Sequence, residues 1–391
     1  MQPQRLAPHR PLFAAAAAVW LMGALWWSWR LSAAGDAPGL LPPIELHALL
    51  LGLGFMPLFI AGFAFTAPPR WLGLVPPAGP VFVIPALLAV CGWALLIGGE
   101  LLQRPALPGL GLLAAGLTQL GCAGALLRLC LQPQARRSPH ALGLVAGMTL
   151  IGLSLLLAAG APLDAARLRL ATLLGLDCGV AGVFALALQR LTPFLHAHGR
   201  RAGGLFALLL AGLALRALLA LAPPVPALAP LRWAALPFGV VLAALLLRDA
   251  WQPALAQARR MPLIAQLHLG YQWLAIALAL QGLAGAGLID EALPRHALYL
   301  GFMGTTLLAM AGRVTAVQQR RSVAVDGPLR AMQALLQLLT LTRLAAALWP
   351  AAALLPLAAG GFAVLAAGWG LRYGPWLWRG PEPGHHRRTP T

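Results

Sequence analysis

The stretch RHALYLGFMGTTLLAMAGRVTA, from Arg295 to Ala316, is apolar and long enough to cross a lipid bilayer, and it begins with a histidine, His296. An earlier stretch, HALLLGLGFMPLFIAGFAFTA at residues 47–67, repeats its pattern. His-Ala-Leu-x-Leu-Gly occurs at His47 and again, 249 residues later, at His296, and in both copies a Thr-Ala pair follows nineteen residues after the histidine. This offset is too long for a solenoid repeat. We therefore predict two equivalent helices of one membrane bundle, each carrying a histidine to the same depth.

The composition of the chain is that of a membrane protein. Charged residues make up 10 % and hydrophobic residues 60 %, with a mean hydropathy of +0.78, whereas globular domains contain about 25 % charged residues. Because a membrane helix needs about 20 apolar residues, the sequence predicts an all-α bundle of about twelve transmembrane helices. The windows lie near residues 12–31, 46–67, 81–102, 108–131, 141–160, 170–192, 203–222, 233–250, 263–286, 295–316, 331–350 and 353–373.

Charge distribution predicts the orientation of this bundle. The net charge is +18 and every cation is an arginine, but the arginines lie between the windows, which argues against a nucleic-acid-binding domain. Most of them fall on one side when both termini are cytoplasmic, as the positive-inside rule requires. We expect one integral-membrane domain over residues 1–380 and a disordered cytoplasmic tail over residues 381–391. The absence of lysine and asparagine indicates a GC-rich bacterial genome and hence the bacterial inner membrane.

Several polar residues lie inside or beside the predicted spans. Asp177 falls within a span, where a charge is costly unless it is paired or faces a cavity. Arg216 and Arg343 are candidate partners, and the acid could be structural or part of a proton relay. His268 and Tyr271 are three residues apart on one helical face. His196 and His198, which follow a proline beside an arginine cluster, are interpreted as surface residues.

His47 and His296 are the strongest candidates for a functional site. No Ser/His/Asp arrangement, P-loop or dinucleotide-binding motif is visible, so acyl and nucleotide chemistry have no support. Two imidazoles at matched depth suit a haem iron or a copper ion, and nearby glycines would give a flat porphyrin room. Arg295 could pair with a propionate, and Met303 and Met310 continue a seven-residue spacing from His296. The alternative is that both histidines are ordinary interfacial polar residues.

Three segments resemble the signatures of a known family. ELHALLLGLGFMPLFIAGFAFTAPPRWLG, MPLIAQLHLGYQW and RHALYLGFMGTTLLAMAGRVTA resemble, in order along the chain, segments of the NnrS family of haem- and copper-containing membrane proteins linked to the bacterial nitric oxide response. QRLTPFLH is similar to a further family segment. The resemblance implies metal or haem roles for His47, His268 and His296. It also implies supporting roles for Arg190, Tyr271 and Arg313.

The chain departs from the family pattern at two places. Family members usually carry His-x-His-Glu where this chain has Glu45, Leu46, His47 and Ala48, and Gly-His-Thr-Gly-Arg where it has residues 317–321, VQQRR. Two potential ligands are therefore missing. We expect a haem, of the b type, and regard copper as the weaker expectation; a divergent branch without a redox role is the alternative.

The sequence thus predicts a membrane haem protein of nitric oxide response and nitrosative stress protection, with His47 and His296 at the haem and His268 at a second site or in a polar network. Expected partners are the lipid bilayer, nitric oxide or another small diatomic ligand, and a redox partner or second copy, but no nucleic acid. The alternatives are a polytopic transporter, in which repeats often flank a central site, and an assembly subunit of a respiratory complex without its own cofactor. Whether the chain is an enzyme stays open.

Overall fold

The computed structural model describes residues 6–32, 39–191, 210–215, 218, 230–251, 262–319, 321, 325–349, 351 and 353–379. The described residues form helices and no strand, and the predicted all-α membrane bundle is confirmed. Most of the 203–222 window lies outside the described residues. His196, His198, Arg216 and the 381–391 tail also lie outside them.

The described helices coincide with the other eleven predicted windows. Ten of them are long and apolar enough to cross a membrane, and α7 is a shorter apolar helix. In chain order they are α1 His9–Ser32, α2 Pro43–Trp71, α3 Gly79–Leu102, α4 Ala106–Cys130, α5 Pro139–Ala159, α6 Ala165–Arg190, α7 Leu231–Trp251, α8 Pro262–Gly285, α9 Ala292–Gln318, α10 Gly327–Leu348 and α11 Leu354–Trp378.

Helix α2 lies at the centre of the described bundle. Its apolar window is 83 % buried, against 33 % for α3, because α1, α4, α5, α6 and α9 all contact it. Helix α9 packs against α2 and α6 on one side and against α8, α10 and α11 on the other. The two helices that carry the repeated sequence are therefore packed against each other.

Three helices contain π-helical turns, and these turns meet. They comprise Leu49–Gly54 in α2, Leu174–Val180 in α6 and Ala297–Gly304 in α9. In both copies of the repeat the π-helical turn begins within two residues of the histidine. The α6 turn contacts the α2 turn, and α6 also contacts the α9 turn. π-helical turns are rare in proteins overall, but those that occur are frequently found at functional sites. The junction of these three turns is therefore a candidate functional region.

Proline explains the widened turn of α2. Pro57 has no N–H and cannot donate to the carbonyl four residues earlier, and its ring would crowd that carbonyl in a regular α-helix. The π-helical turn Leu49–Gly54 ends three residues before Pro57 and relieves this conflict. In α9 the equivalent position is Thr306, so the widened turn of α9 has a different origin.

Side chains from α10 bind the end of the α9 π-helical turn. Gln333 donates to the backbone carbonyl of Thr305 at 3.2 Å, and Gln337 donates to the Thr305 hydroxyl at 2.8 Å. Trp273 of α8 in turn donates to Gln337 at 2.6 Å. Backbone groups need internal partners inside a bilayer, and this network supplies one where the turn ends.

The two ends of the bundle differ in charge. One end, the basic face, carries Arg10 at the start of α1, which donates to the carbonyl of Arg379 after α11 at 2.7 Å, and Arg190, which lies over Trp71. The opposite end, the histidine face, carries His47 and the acids at the starts of α2, α6 and α9.

Candidate functional site

His47 and His296 lie side by side at the histidine face. Their ring centroids are 6.2 Å apart and the ring planes differ by 26°. Both residues are half-buried. The two copies of the repeat thus bring their histidines to one place, across the contact between α2 and α9.

The approach to α2 is held in place by a buried carboxylate. Glu100, at the end of α3, accepts a hydrogen bond from the backbone N–H of Leu41 at 2.7 Å. Pro42 and Pro43 follow, and Pro43 begins the helix, where its missing N–H costs nothing. His47 therefore sits in the first turns of α2, just after a segment held by Glu100.

The two imidazoles differ in how they are held. Nδ1 of His296 lies 2.8 Å from the carbonyl oxygen of Ala292. A carbonyl only accepts, so Nδ1 carries the proton, and in the neutral ring Nε2 carries the lone pair. Nδ1 of His47 is buried without a hydrogen-bond partner in the described part of the chain. His47 instead packs on Trp27 of α1, with ring centroids 4.2 Å apart.

Arg343 of α10 lies near enough to the pair for its charge to interact with both His47 and His296. The acid that acts on Arg343 is Asp290, just before α9. Arg295, the expected propionate partner, forms an ion pair with Glu291. Arg343 is therefore a further candidate cation for an anionic group beside the histidines.

Asp177 contacts α9 through a tyrosine. The Tyr299 hydroxyl donates to Oδ1 of Asp177 at 2.5 Å, and Asp177 is fully buried. Arg216, one candidate partner, is outside the described residues. This bond joins the π-helical turns of α6 and α9, three residues after His296.

The donor set of the pair fits a haem better than a bare metal ion. Bare-ion sites in proteins usually take four ligands, of which the protein supplies at least three, but no group of three or more His, Cys, Asp or Glu side chains among the described residues could hold a metal ion. A haem brings four nitrogens of its own and needs only axial ligands. Metal–imidazole bonds of about 2.0–2.1 Å would put the ring centroids of two axial ligands about 6 Å apart. The observed separation of 6.2 Å agrees with that value.

The glycines near the histidines do not provide the expected room for a porphyrin. A Cβ added to Gly52 would lie 2.5 Å from the Leu176 side chain, and one added to Gly301 would lie 2.6 Å from Trp273. These glycines accommodate neighbouring helices, as small residues do in membrane bundles.

His268 lies away from this pair. Its neighbour Gly270 is packed against Thr306, ten residues beyond His296 along α9, which corresponds to roughly 15 Å of helix. His268 is 5 % exposed, and neither ring nitrogen has a hydrogen-bond partner in the described ranges. One metal ion therefore does not take all three histidines.

The other predicted site residues are dispersed. Met303 is fully buried inside the π-helical turn, and Met310 lines a separate apolar cavity. The seven-residue spacing assumed a continuous α-helix, and the intervening π-helical turn changes the helical phase. Tyr271 is buried on α8, and Arg313 lies exposed at the basic end of α9.

Three features of this region escaped the sequence interpretation. Trp27 packs on His47, Arg343 acts on both histidines, and Tyr299 binds Asp177. The signal for the last was present, since the second copy of the repeat replaces Leu50 by a tyrosine. The first two depend on which helices become neighbours, which the sequence does not state.

Comparison with known proteins identifies the family. No curated protein matches the chain. The family model described as NnrS protein matches residues 4–380, which cover the histidine pair, the π-helical turns and all eleven helices. The chain belongs to the NnrS family.

Proposed function

We propose that this chain is a haem protein of the bacterial inner membrane that acts in the nitric oxide response, with His47 and His296 as the axial ligands of the haem iron. At the family level, membership in NnrS makes it a membrane protein related to that response. The observation that carries the finer proposal is the 6.2 Å separation of two imidazoles on the two copies of one repeat.

Neighbouring groups support the same assignment. The Ala292 carbonyl accepts from Nδ1 of His296 and leaves Nε2 available to bind a metal, an arrangement typical of metal-bound histidine. Arg343 supplies a positive charge for a porphyrin carboxylate. The sequence contains no Cys-x-x-Cys-His motif, the attachment site of c-type haem, which favours a non-covalent b-type haem. The lack of a third donor in the described residues argues against copper at this pair.

A bound haem would supply redox chemistry and would bind nitric oxide only where one of the two histidines gave up its place. The two histidines have unequal tethers: His296 is hydrogen-bonded to its own helix, whereas His47 is held by packing against Trp27. We therefore expect His47 to be the ligand that exchanges more easily. The arginine asymmetry between the two faces favours the histidine face as the outer one.

The test is the absorption spectrum of the detergent-purified protein, oxidised and reduced, with and without nitric oxide. Wild type is compared with His47→Ala, His296→Ala and the control His140→Ala, which removes a histidine at the start of α5, on the basic side. We expect a Soret band in wild type and in the control, and its loss or a marked shift in the other two variants. A protein that stays colourless after expression with ample haem would exclude the proposal and favour the transporter or assembly subunit.

A further inference from the structure

A polar cavity of about 40 Å³ lies at the basic face, remote from the histidine pair. It is enclosed by the end of α9, the start of α10, the end of α11 and the start of α8. Its polar lining consists of Arg313, Asp326, Arg372 and Tyr373, with Trp376 as an aromatic wall. A volume of this size holds about three water molecules, and the exposed Arg313 at its edge opens it to the surface.

The lining carries more positive than negative charge. Arg372 forms an ion pair with Asp326, which also caps α10 by accepting from the Leu329 N–H at 3.1 Å. Arg313 has no acidic partner among the described residues. Within the described part of the chain, the guanidinium of Arg313 is thus uncompensated, and Arg321 stacks on the nearby Trp376 at 4.5 Å.

One residue of the lining, Arg372, has a hydrogen-bond donor that is unused among the described residues. Nε of Arg372 is buried and donates to no group in the described part of the chain. Buried donors without partners are rare in folded proteins, and a guanidinium matches the geometry of a phosphate group. An anion with several acceptor oxygens would satisfy Arg372 and neutralise Arg313 together.

The surroundings of the cavity are those of a membrane interface. On α11, Leu371 is 80 % exposed and Trp378 is 75 % exposed, so an apolar, lipid-facing surface runs beside Arg372. Tryptophan is enriched where helices leave the hydrocarbon, and basic pockets between helices at the cytoplasmic side suit anionic lipid head groups. A ligand with a phosphate head and acyl chains fits both surfaces, whereas a soluble phosphate uses only the first.

From these observations we propose that the cavity bounded by Arg313, Arg372 and Trp376 binds the phosphate head group of an anionic phospholipid. The acyl chains lie along the exposed apolar surface of α11. The site is separate from the histidine pair and does not depend on a bound haem.

The test measures the thermal unfolding midpoint of the detergent-purified protein during titration with phosphatidylglycerol, phosphatidylcholine or inorganic phosphate. Wild type is compared with Arg313→Gln and with Arg330→Gln, a matched control that removes an exposed arginine at the start of α10 outside the cavity. We expect phosphatidylglycerol alone to raise the midpoint of wild type and of the control. Compared with wild type, the apparent affinity of Arg313→Gln for phosphatidylglycerol should be about tenfold weaker.

Equal stabilisation of Arg313→Gln and Arg330→Gln by phosphatidylglycerol would overturn the proposal. Stabilisation by inorganic phosphate as strong as that by the lipid would also overturn it, because it would show a soluble anion as the ligand. Arg313→Lys guards against a folding defect: it keeps the charge without the guanidinium fork and should recover part of the effect. A lysine variant with the full wild-type affinity, and the same midpoint as wild type before lipid is added, would contradict the guanidinium–phosphate contact.

Discussion

The first and second copies of the repeat have the same local fold but differ in how polar they are. In α2 and in α9 a short α-helical turn carries the histidine, and a π-helical turn and a longer helix follow. In the first copy Leu50 and Met56 are buried apolar side chains. In the second, Tyr299 and Thr305 take their places and bind α6 and α10.

The difference indicates two ways of stabilising the same irregular helix. Helix α2 is surrounded by neighbours and keeps its widened turn through Pro57 and packing alone. Helix α9 lacks that proline and uses hydrogen bonds to Asp177, Gln333 and Gln337 instead. The histidine of the polar copy is correspondingly tethered, and that of the apolar copy is not. We expect substitutions that give one copy the residue of the other to lower stability more in α9 than in α2.

The largest effect is expected when Tyr299 of α9 is replaced by leucine, the residue at the equivalent position, Leu50, of α2. Tyr299→Leu removes the hydrogen bond to Asp177 and much of a packed side chain, which should lower the free energy of unfolding by about 2–4 kcal/mol. Thermal unfolding in detergent measures this change in stability. Tyr299→Phe, which removes only the hydroxyl, distinguishes the contribution of the hydrogen bond from that of the ring. Unchanged stability of both variants would show that this contact does not hold the two π-helical turns together.

A smaller effect is expected at Gly52 and Gly301, which occupy equivalent positions in the two copies. Gly301→Ala places a methyl group against the Trp273 ring, which is held by Gln337, so the clash should cost about 1–3 kcal/mol. Gly52→Ala meets only the end of the flexible Leu176 side chain and should cost less than about 1 kcal/mol. The same unfolding measurement compares them. A larger loss for Gly52→Ala would contradict the view that α9 is the more rigidly fixed copy.

The smallest effect is expected at the end of the α9 turn. Thr305→Val removes the hydroxyl that accepts from Gln337, and single hydrogen bonds between membrane helices contribute about 0.6 kcal/mol on average. Thr340→Val is the control, because its buried hydroxyl bonds only within its own helix. Equal losses in the two variants would mean that the bond from α10 adds nothing specific.

Helix positions and fold class could be predicted from the sequence because they depend on the length of apolar runs. All eleven described helices follow that rule, including α6 with Asp177 inside it. The pairing of His47 with His296 was also accessible, because an internal repeat places equivalent residues at equivalent depth.

The widened turns and the contacts of the site could not be predicted in the same way. A π-helical turn has the same apolar composition as an α-helix and differs only in its hydrogen-bond register, so Leu49–Gly54 looks like ordinary helix in the sequence. The contact of Trp27 with His47 and the charge interaction of Arg343 with both histidines join residues of different helices, and they depend on packing. The glycines were interpreted as room for a cofactor because a missing Cβ does not reveal what fills its place.

The central claim is that the two copies supply one axial ligand each to the same iron. Low-temperature electron paramagnetic resonance of the oxidised protein tests it in wild type, His47→Ala and His296→Ala. Two axial imidazoles give a low-spin ferric haem, and removal of one gives a high-spin signal. We predict a low-spin wild type, a high-spin His47→Ala protein, and haem loss or a high-spin signal in His296→Ala. A low-spin signal that survives unchanged in His47→Ala would contradict the account.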